Sequence, residues 1–156
     1  MLKRRGMRIA LYQPEIAGNV GAVLRLGACF GVAVDLIEPM GFAWDDKRVR
    51  RTAMDYIDAV EVRRHSDWAS FQAATRTARL VLLTTRATAS LYDFSFRDDD
   101  ILAFGKESAG VPSDVATACE AKVRIPIRAE VRSFNLATSA AIALGEALRQ
   151  TGKLPE

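Results

Sequence analysis

Hydrophobic and polar positions alternate along this chain in blocks rather than residue by residue. Short apolar, β-branched runs recur at 8–12 (RIALY), 34–37 (VDLI), 60–62 (VEV), 80–85 (LVLLTT), 101–104 (ILAF) and 122–127 (KVRIPI). Several are apolar without interruption, as strands covered on both faces must be. Between them lie helical patterns at 19–30, about 46–55, 66–75, 113–119 and 135–151. Strand alternating with helix predicts an α/β fold, a mostly parallel sheet flanked by helices on both faces. The last helix is the most clearly bounded. Asn135 suits an N-cap, and Leu136, Ala140, Leu144, Ala147 and Leu148 share one face. Gly152 and Pro155 then stop it. In the helix at 19–30, Asn19 is the expected N-cap.

In parallel sheets, ligands collect where strands end. Three polar loops, the first two bearing glycine, fall there: QPEIAGN (13–19), GKESAGVP (105–112) and RAEVRSFN (128–135). The second mimics the glycine spacing of a phosphate loop, but Val111 and Pro112 stand where Lys and Ser/Thr are needed. No G-x-G-x-x-G occurs, so the dinucleotide fingerprint is missing as well. The start of the last helix can offer backbone N–H groups to an anion. Equally, Ser133 and Asn135 can serve as caps and nothing more.

Arg25 stands alone in the apolar stretch NVGAVLRLGACFG. At 100° per residue, Gly21, Ala22, Ala28 and Cys29 share its side of the helix, while Val20, Val23, Leu24, Leu26 and Phe30 take the other. The small residues leave a shallow groove that another element or a ligand can approach closely. A purely structural pairing of Arg25 with Glu107 or Glu15 fits the same facts.

With 156 residues, the chain suits one domain, 1–156, with residues 1–6 a flexible extension before Met7. Its composition, 49% hydrophobic and 26% charged, is that of an ordinary globular protein. No run is long enough for a membrane helix, and no signal peptide precedes the first strand. Cys29 and Cys119 match no metal or redox spacing and read as reduced thiols of a cytoplasmic protein. One histidine, His65, is too few for a zinc site or a histidine-based hydrolase. Net charge is +3. The basic residues concentrate in DDKRVRR (45–51), followed by Arg63 and Arg64. That cluster suits phosphates, and it suits a solvated helix face equally well.

Three motifs in order resemble the SpoU branch of the SPOUT methyltransferases. They are N-x-G-x-x-x-R (Asn19, Gly21, Arg25), F-G-x-E-x-x-G-V-P (Phe104, Gly105, Glu107, Gly110, Val111, Pro112) and R-S-x-N-L (Arg132, Ser133, Asn135, Leu136). The resemblance runs from residue 7 onward, so the chain reads as a single minimal SPOUT domain with no added RNA-binding domain. The stretch IEPMGFAWDDKRVRRTAMDY (37–56) is similar to the minimal single-domain subgroup called TrmL. Two positions depart from the pattern. Ala17-Gly18 replaces a common Pro-Pro, and Ala137 replaces a serine.

The resemblance implies an α/β knot, in which the C-terminal segment threads a loop as a trefoil. It implies S-adenosylmethionine held by Leu83, Gly105, Ile125, Ser133 and Asn135, without a metal. It implies a homodimer with the active site at the subunit interface, much of it supplied by the first and last helices. The implied reaction is methylation of the ribose 2′-hydroxyl at the wobble nucleotide, cytidine or modified uridine, of leucine tRNAs. The catalytic set would be Arg25, Asn19, Glu107, Ser133 and Asn135, with Glu107 orienting Arg25 or Asn19. The family assigns the arginine matching Arg25 as the base. A guanidinium with a pKa above about 12 is better suited to hold a phosphate and stabilise a developing alkoxide. Lys47, Arg48, Arg50, Arg51 and Arg132 would bind the anticodon stem-loop. The competing expectations are the same chemistry on another tRNA position or on ribosomal RNA, a non-catalytic RNA-binding module, and a small-molecule-binding α/β domain.

Overall fold

The structure is a computed structural model and describes residues 6–53 and 56–156. The expected extension therefore lies almost wholly outside the described residues. Strands β1 (Arg8–Tyr12), β2 (Ala33–Ile37), β3 (Val62–His65), β4 (Leu80–Leu83), β5 (Ile101–Phe104) and β6 (Ala121–Val123) form one sheet in the order β3-β2-β1-β5-β4-β6. Every neighbouring pair is parallel. Helices α1 (Ala17–Phe30), α2 (Asp46–Ala53), α3 (Trp68–Ala74), α4 (Ser113–Ala118) and α5 (Leu136–Thr151) fill the connections.

Strand periodicity divides the core in two. Ile9, Leu11, Val34, Leu36, Val81, Leu83, Leu102 and Phe104 face a layer built from α1, α2 and α5. Their neighbours Ala10, Tyr12, Leu80, Leu82, Ile101 and Ala103 face Phe71 of α3 and Val115 of α4. Since side chains alternate across a strand, a strand covered on both faces must be apolar throughout. That is the pattern of LVLL and ILAF.

The buried charges are paired. Asp35, fully buried on β2, accepts Nε and Nη2 of Arg8 from β1 at 2.7 and 3.1 Å and sits 2.7 Å from Nε2 of His65 on β3. His65 also meets the Phe71 ring edge-on at 5.3 Å. The histidine thus ties the sheet edge to α3. Asp100, likewise fully buried, is held by the guanidinium fork of Arg79 at 2.8 and 2.7 Å and by the Arg97 N–H. A buried carboxylate needs such partners to offset its lost hydration.

Three elements differ from the sequence reading. β3 begins at Val62 rather than at 60, because the edge strand carries exposed Arg63 and Arg64 where an apolar run was expected. β6 stops at Val123, after which Arg124 bonds across to the loop at 89–91. α1 starts at Ala17, with Ile16 in the capping position and no side-chain cap. Asn19 is therefore inside the helix, not its N-cap. Its side-chain oxygen is used elsewhere.

Candidate active site

β1 and β5 lie side by side at the centre of the sheet, where the connections turn to opposite sides, so the loops at their carboxyl ends meet. The loop after β1 begins with Gln13 at φ 43°, a left-handed conformation unusual outside glycine. It is held from β2, since the Gln13 N–H donates to the Ile37 carbonyl at 2.9 Å. The loop after β5 folds back on itself. Lys106 and Gly110 exchange backbone hydrogen bonds of 2.8 and 3.0 Å. A Cβ on Gly105 would lie 2.5 Å from the Gly110 carbonyl carbon, so the turn closes only with glycine there.

Two acids join these loops. The Glu15 N–H donates to Glu107 Oε2 at 2.7 Å, while Glu15 Oε1 accepts from the N–H and hydroxyl of Ser108 at 2.9 and 2.7 Å. The Ser108 bonds hold the Glu15 carboxyl below its ordinary pKa. Glu107 Oε2 is thereby engaged with the backbone of Glu15. Glu15 Oε1 is likewise engaged with Ser108. The other Glu107 oxygen, Oε1, is buried without a hydrogen-bond partner. Such an atom costs free energy until a donor reaches it.

The third loop arrives with α5. Asn135 caps that helix as expected, accepting from the N–H groups of Ala137 and Thr138 at 2.9 and 3.2 Å. Ser133 takes no part in the cap. The Asn135 amide also donates to Asn19 Oδ1 at 3.1 Å, joining the first and third motifs.

The result is a groove of about 1100 Å³. Of the residues singled out in the sequence, Asn19, Leu83, Gly105, Glu107, Ile125, Arg132, Ser133 and Asn135 line it. The apolar walls are Leu83, Phe104 and Ile125. Arg86, Lys106 and Lys122 add positive charge that the motif search missed, because no spacing links them. Against them stands Glu107. The volume slightly exceeds the range for small-molecule sites, roughly 300–1000 Å³, so the groove can take more than one small ligand group. Among the described residues, no group of three or more His, Cys, Asp or Glu could hold a metal ion, and no helix is long and apolar enough to cross a membrane.

Arg25 does not line this groove. It is exposed on α1, its guanidinium carbon 5.2 Å from the centre of the Tyr56 ring. Its helix is divided in part as expected, with Val20, Val23 and Leu24 buried and Ala22 and Cys29 exposed, but Gly21, expected on the open side, is buried, and Leu26 and Phe30 are only half-buried. Lys47, Arg48, Arg50 and Arg51 all lie exposed on α2, whose Val49 and Ala53 are buried. Arg50 is partly neutralised, donating both terminal nitrogens to Asp58 at 2.9 and 3.2 Å. That pairing holds the Asp58 carboxyl below its ordinary pKa. Both cysteines are free thiols. Burial pushes the Cys119 thiol up to about 11, while Cys29 is exposed.

Comparison with known proteins adds independent information. A tRNA (cytidine(34)-2′-O)-methyltransferase of Beijerinckia indica is 51% identical over 148 residues, covering 94% of this chain and 92% of its own. The enzyme of the same name from Escherichia coli K12 is 43% identical, covering 94% of each chain. A solved structure described in terms of the 2′-OH methylation of C/U34 on tRNA superposes with a TM-score of 0.88. It is 40% identical and covers 92% of this chain and 95% of its own. The family model of the SpoU rRNA Methylase family matches residues 6–145. On this match and these relatives, the chain belongs to the SpoU methylase family.

Proposed function

We propose that this protein transfers a methyl group from S-adenosylmethionine to the ribose 2′-hydroxyl of the wobble nucleotide in leucine tRNAs, in the cytoplasm. The observation that carries the proposal is the convergence of three motif loops on one groove, clasped by Glu15–Glu107, Glu15–Ser108 and Asn19–Asn135. The identity to relatives named for cytidine 34 supports the wobble position over other sites.

The donor supplies an electrophilic methyl group on a sulfonium. Leu83, Gly105 and Ile125 would hold it against the apolar wall, with Ser133 and Asn135 fixing the loop that closes over it. The buried, unpartnered Glu107 Oε1 would accept a donor from the bound ligand. Positioning dominates a reaction whose methyl group is already activated. Arg25 would hold an RNA phosphate and stabilise charge on the developing alkoxide. Its place outside its own chain's groove, on an exposed small-residue face, supports a homodimer in which it completes the partner's site. Lys47, Arg48, Arg51 and Arg132, with Arg50 beside them, would track the anticodon stem-loop. The implied trefoil knot belongs to the same proposal. It is supported by the 84–91 loop, where the N–H groups of Thr84 and Leu91 bond the carbonyls of Val123 and Arg124 at 2.9 and 2.8 Å.

The test incubates purified protein with methyl-labelled donor and total tRNA, then maps the modified nucleotide. Label at the wobble ribose of leucine tRNAs is expected. Because the family is named for ribosomal RNA, a parallel incubation with ribosomal RNA distinguishes that second reading. Label at another tRNA position or in ribosomal RNA would move the substrate. Absence of both label and donor binding by calorimetry would leave a non-catalytic module.

A further inference from the structure

Tyr56 belongs to none of the three motifs, yet it touches the residue on which the proposed chemistry depends. We propose that Tyr56 is a positioning residue for Arg25, a fixed aromatic platform that sets the plane of its guanidinium. This rests on the reading of Arg25 given above.

An arginine side chain turns about several single bonds, and a contact on the face of its guanidinium narrows the orientations it samples. The Arg25 guanidinium carbon lies 5.2 Å from the Tyr56 ring centre, within the roughly 6 Å over which a ring face attracts a cation. Stacking engages the face of the guanidinium, whereas hydrogen bonds use its edge. A ring beneath Arg25 can therefore orient it without competing with a phosphate or alkoxide for its N–H groups.

A platform must itself be fixed, and this one is. Tyr56 opens the short 3₁₀ turn Tyr56–Ala59. The next residue, Ile57, packs against the core beneath α1 and α2. One residue further on, Asp58 receives both terminal nitrogens of Arg50. The turn is thus pinned from the core side by an apolar contact and from α2 by a bidentate ion pair. Tyr56 keeps 39% of its surface exposed. Its ring is therefore not committed to the core.

The test uses the full-length protein with Tyr56→Leu and Tyr56→Phe. In the first arm, NMR records the Arg25 Nε–Hε resonance without substrate. An upfield ring-current shift is expected in the wild type and in Tyr56→Phe, and its loss in Tyr56→Leu. In the second arm, steady-state methylation of tRNA is measured. Tyr56→Leu should lower kcat about tenfold while the KM values for donor and tRNA stay within about twofold, and Tyr56→Phe should restore most of the rate. If Tyr56→Leu does not fold, Tyr56→Gln carries the same expectation. A normal kcat without the ring, an equal loss in Tyr56→Phe, or an Arg25 resonance indifferent to the ring would overturn the proposal. If the wild type itself methylates no tRNA, the reading of the site fails instead, and the resonance alone decides whether the ring holds Arg25.

Discussion

Glu15 joins two loops by acting in opposite senses, donating from its backbone to Glu107 and accepting at its side chain from Ser108. Its carboxyl is held below the ordinary value of 4.5, chiefly by the Ser108 hydroxyl and then by the Ser108 N–H. The sign of the pH dependence follows. A depressed folded pKa contributes stability that is complete above the unfolded value and lost as pH falls through the folded one. Glu15→Gln should therefore melt below the wild type near neutrality, with the gap closing as pH falls below the ordinary value of 4.5 and through the lower folded one. Thermal melts across that range check it. Arg25 sets a second residue-scale expectation. Lysine keeps the charge but not the planar fork. Arg25→Lys should cost at least about tenfold in kcat, toward the 10²–10³ typical of a lost oxyanion contact. Near-normal turnover in a methylation assay would show that the guanidinium plane does not matter.

At the scale of elements, one residue both starts α5 and adds a hydrogen bond to its packing against α1. Asn135 caps two N–H groups and bonds Asn19. Asn135→Ala should lower global stability by about 1 kcal/mol, read by urea unfolding, and should weaken donor binding by calorimetry as the third loop separates from the first. This cap was legible in the sequence, since Asn135 precedes a clear helical stripe. β1, β4 and β5 were equally legible because burial on both faces forces them to be apolar throughout. β3 was not, since an edge strand carrying VRRH has little apolar signal to read. The start of α1 was misplaced because Asn19 has the chemistry of a cap but spends its oxygen on Asn135. The clasp of Glu15, Glu107 and Ser108 had no local signature at all. Its partners stand 92 and 93 residues apart, and only the sheet order makes loops after β1 and β5 neighbours. The same holds for Arg25 and Tyr56, which no period connects.

Across the whole molecule, two groups of basic residues stand out, one in the groove and one on α2, and they should respond differently to salt. Each phosphate contact removed lowers the slope of log affinity against log salt by about 0.7–0.9. Lys47→Ala combined with Arg51→Ala should flatten the slope for tRNA by nearly two such steps, measured by filter binding at graded salt. Arg50→Ala should change it less, because Asp58 already takes up much of that charge. The clasp between distant loops also orders events in time. A chain emerging from the ribosome makes β1 and α1 first, but Glu15 has no Ser108 to hold until β5 has been inserted beside β1. Asn19 waits longer still, for a partner 116 residues downstream. The groove is therefore assembled last, when the final helix docks. Loss of α5 would uncover the sheet face that Ala140, Leu144 and Leu148 bury and remove Asn135 from the groove in the same stroke.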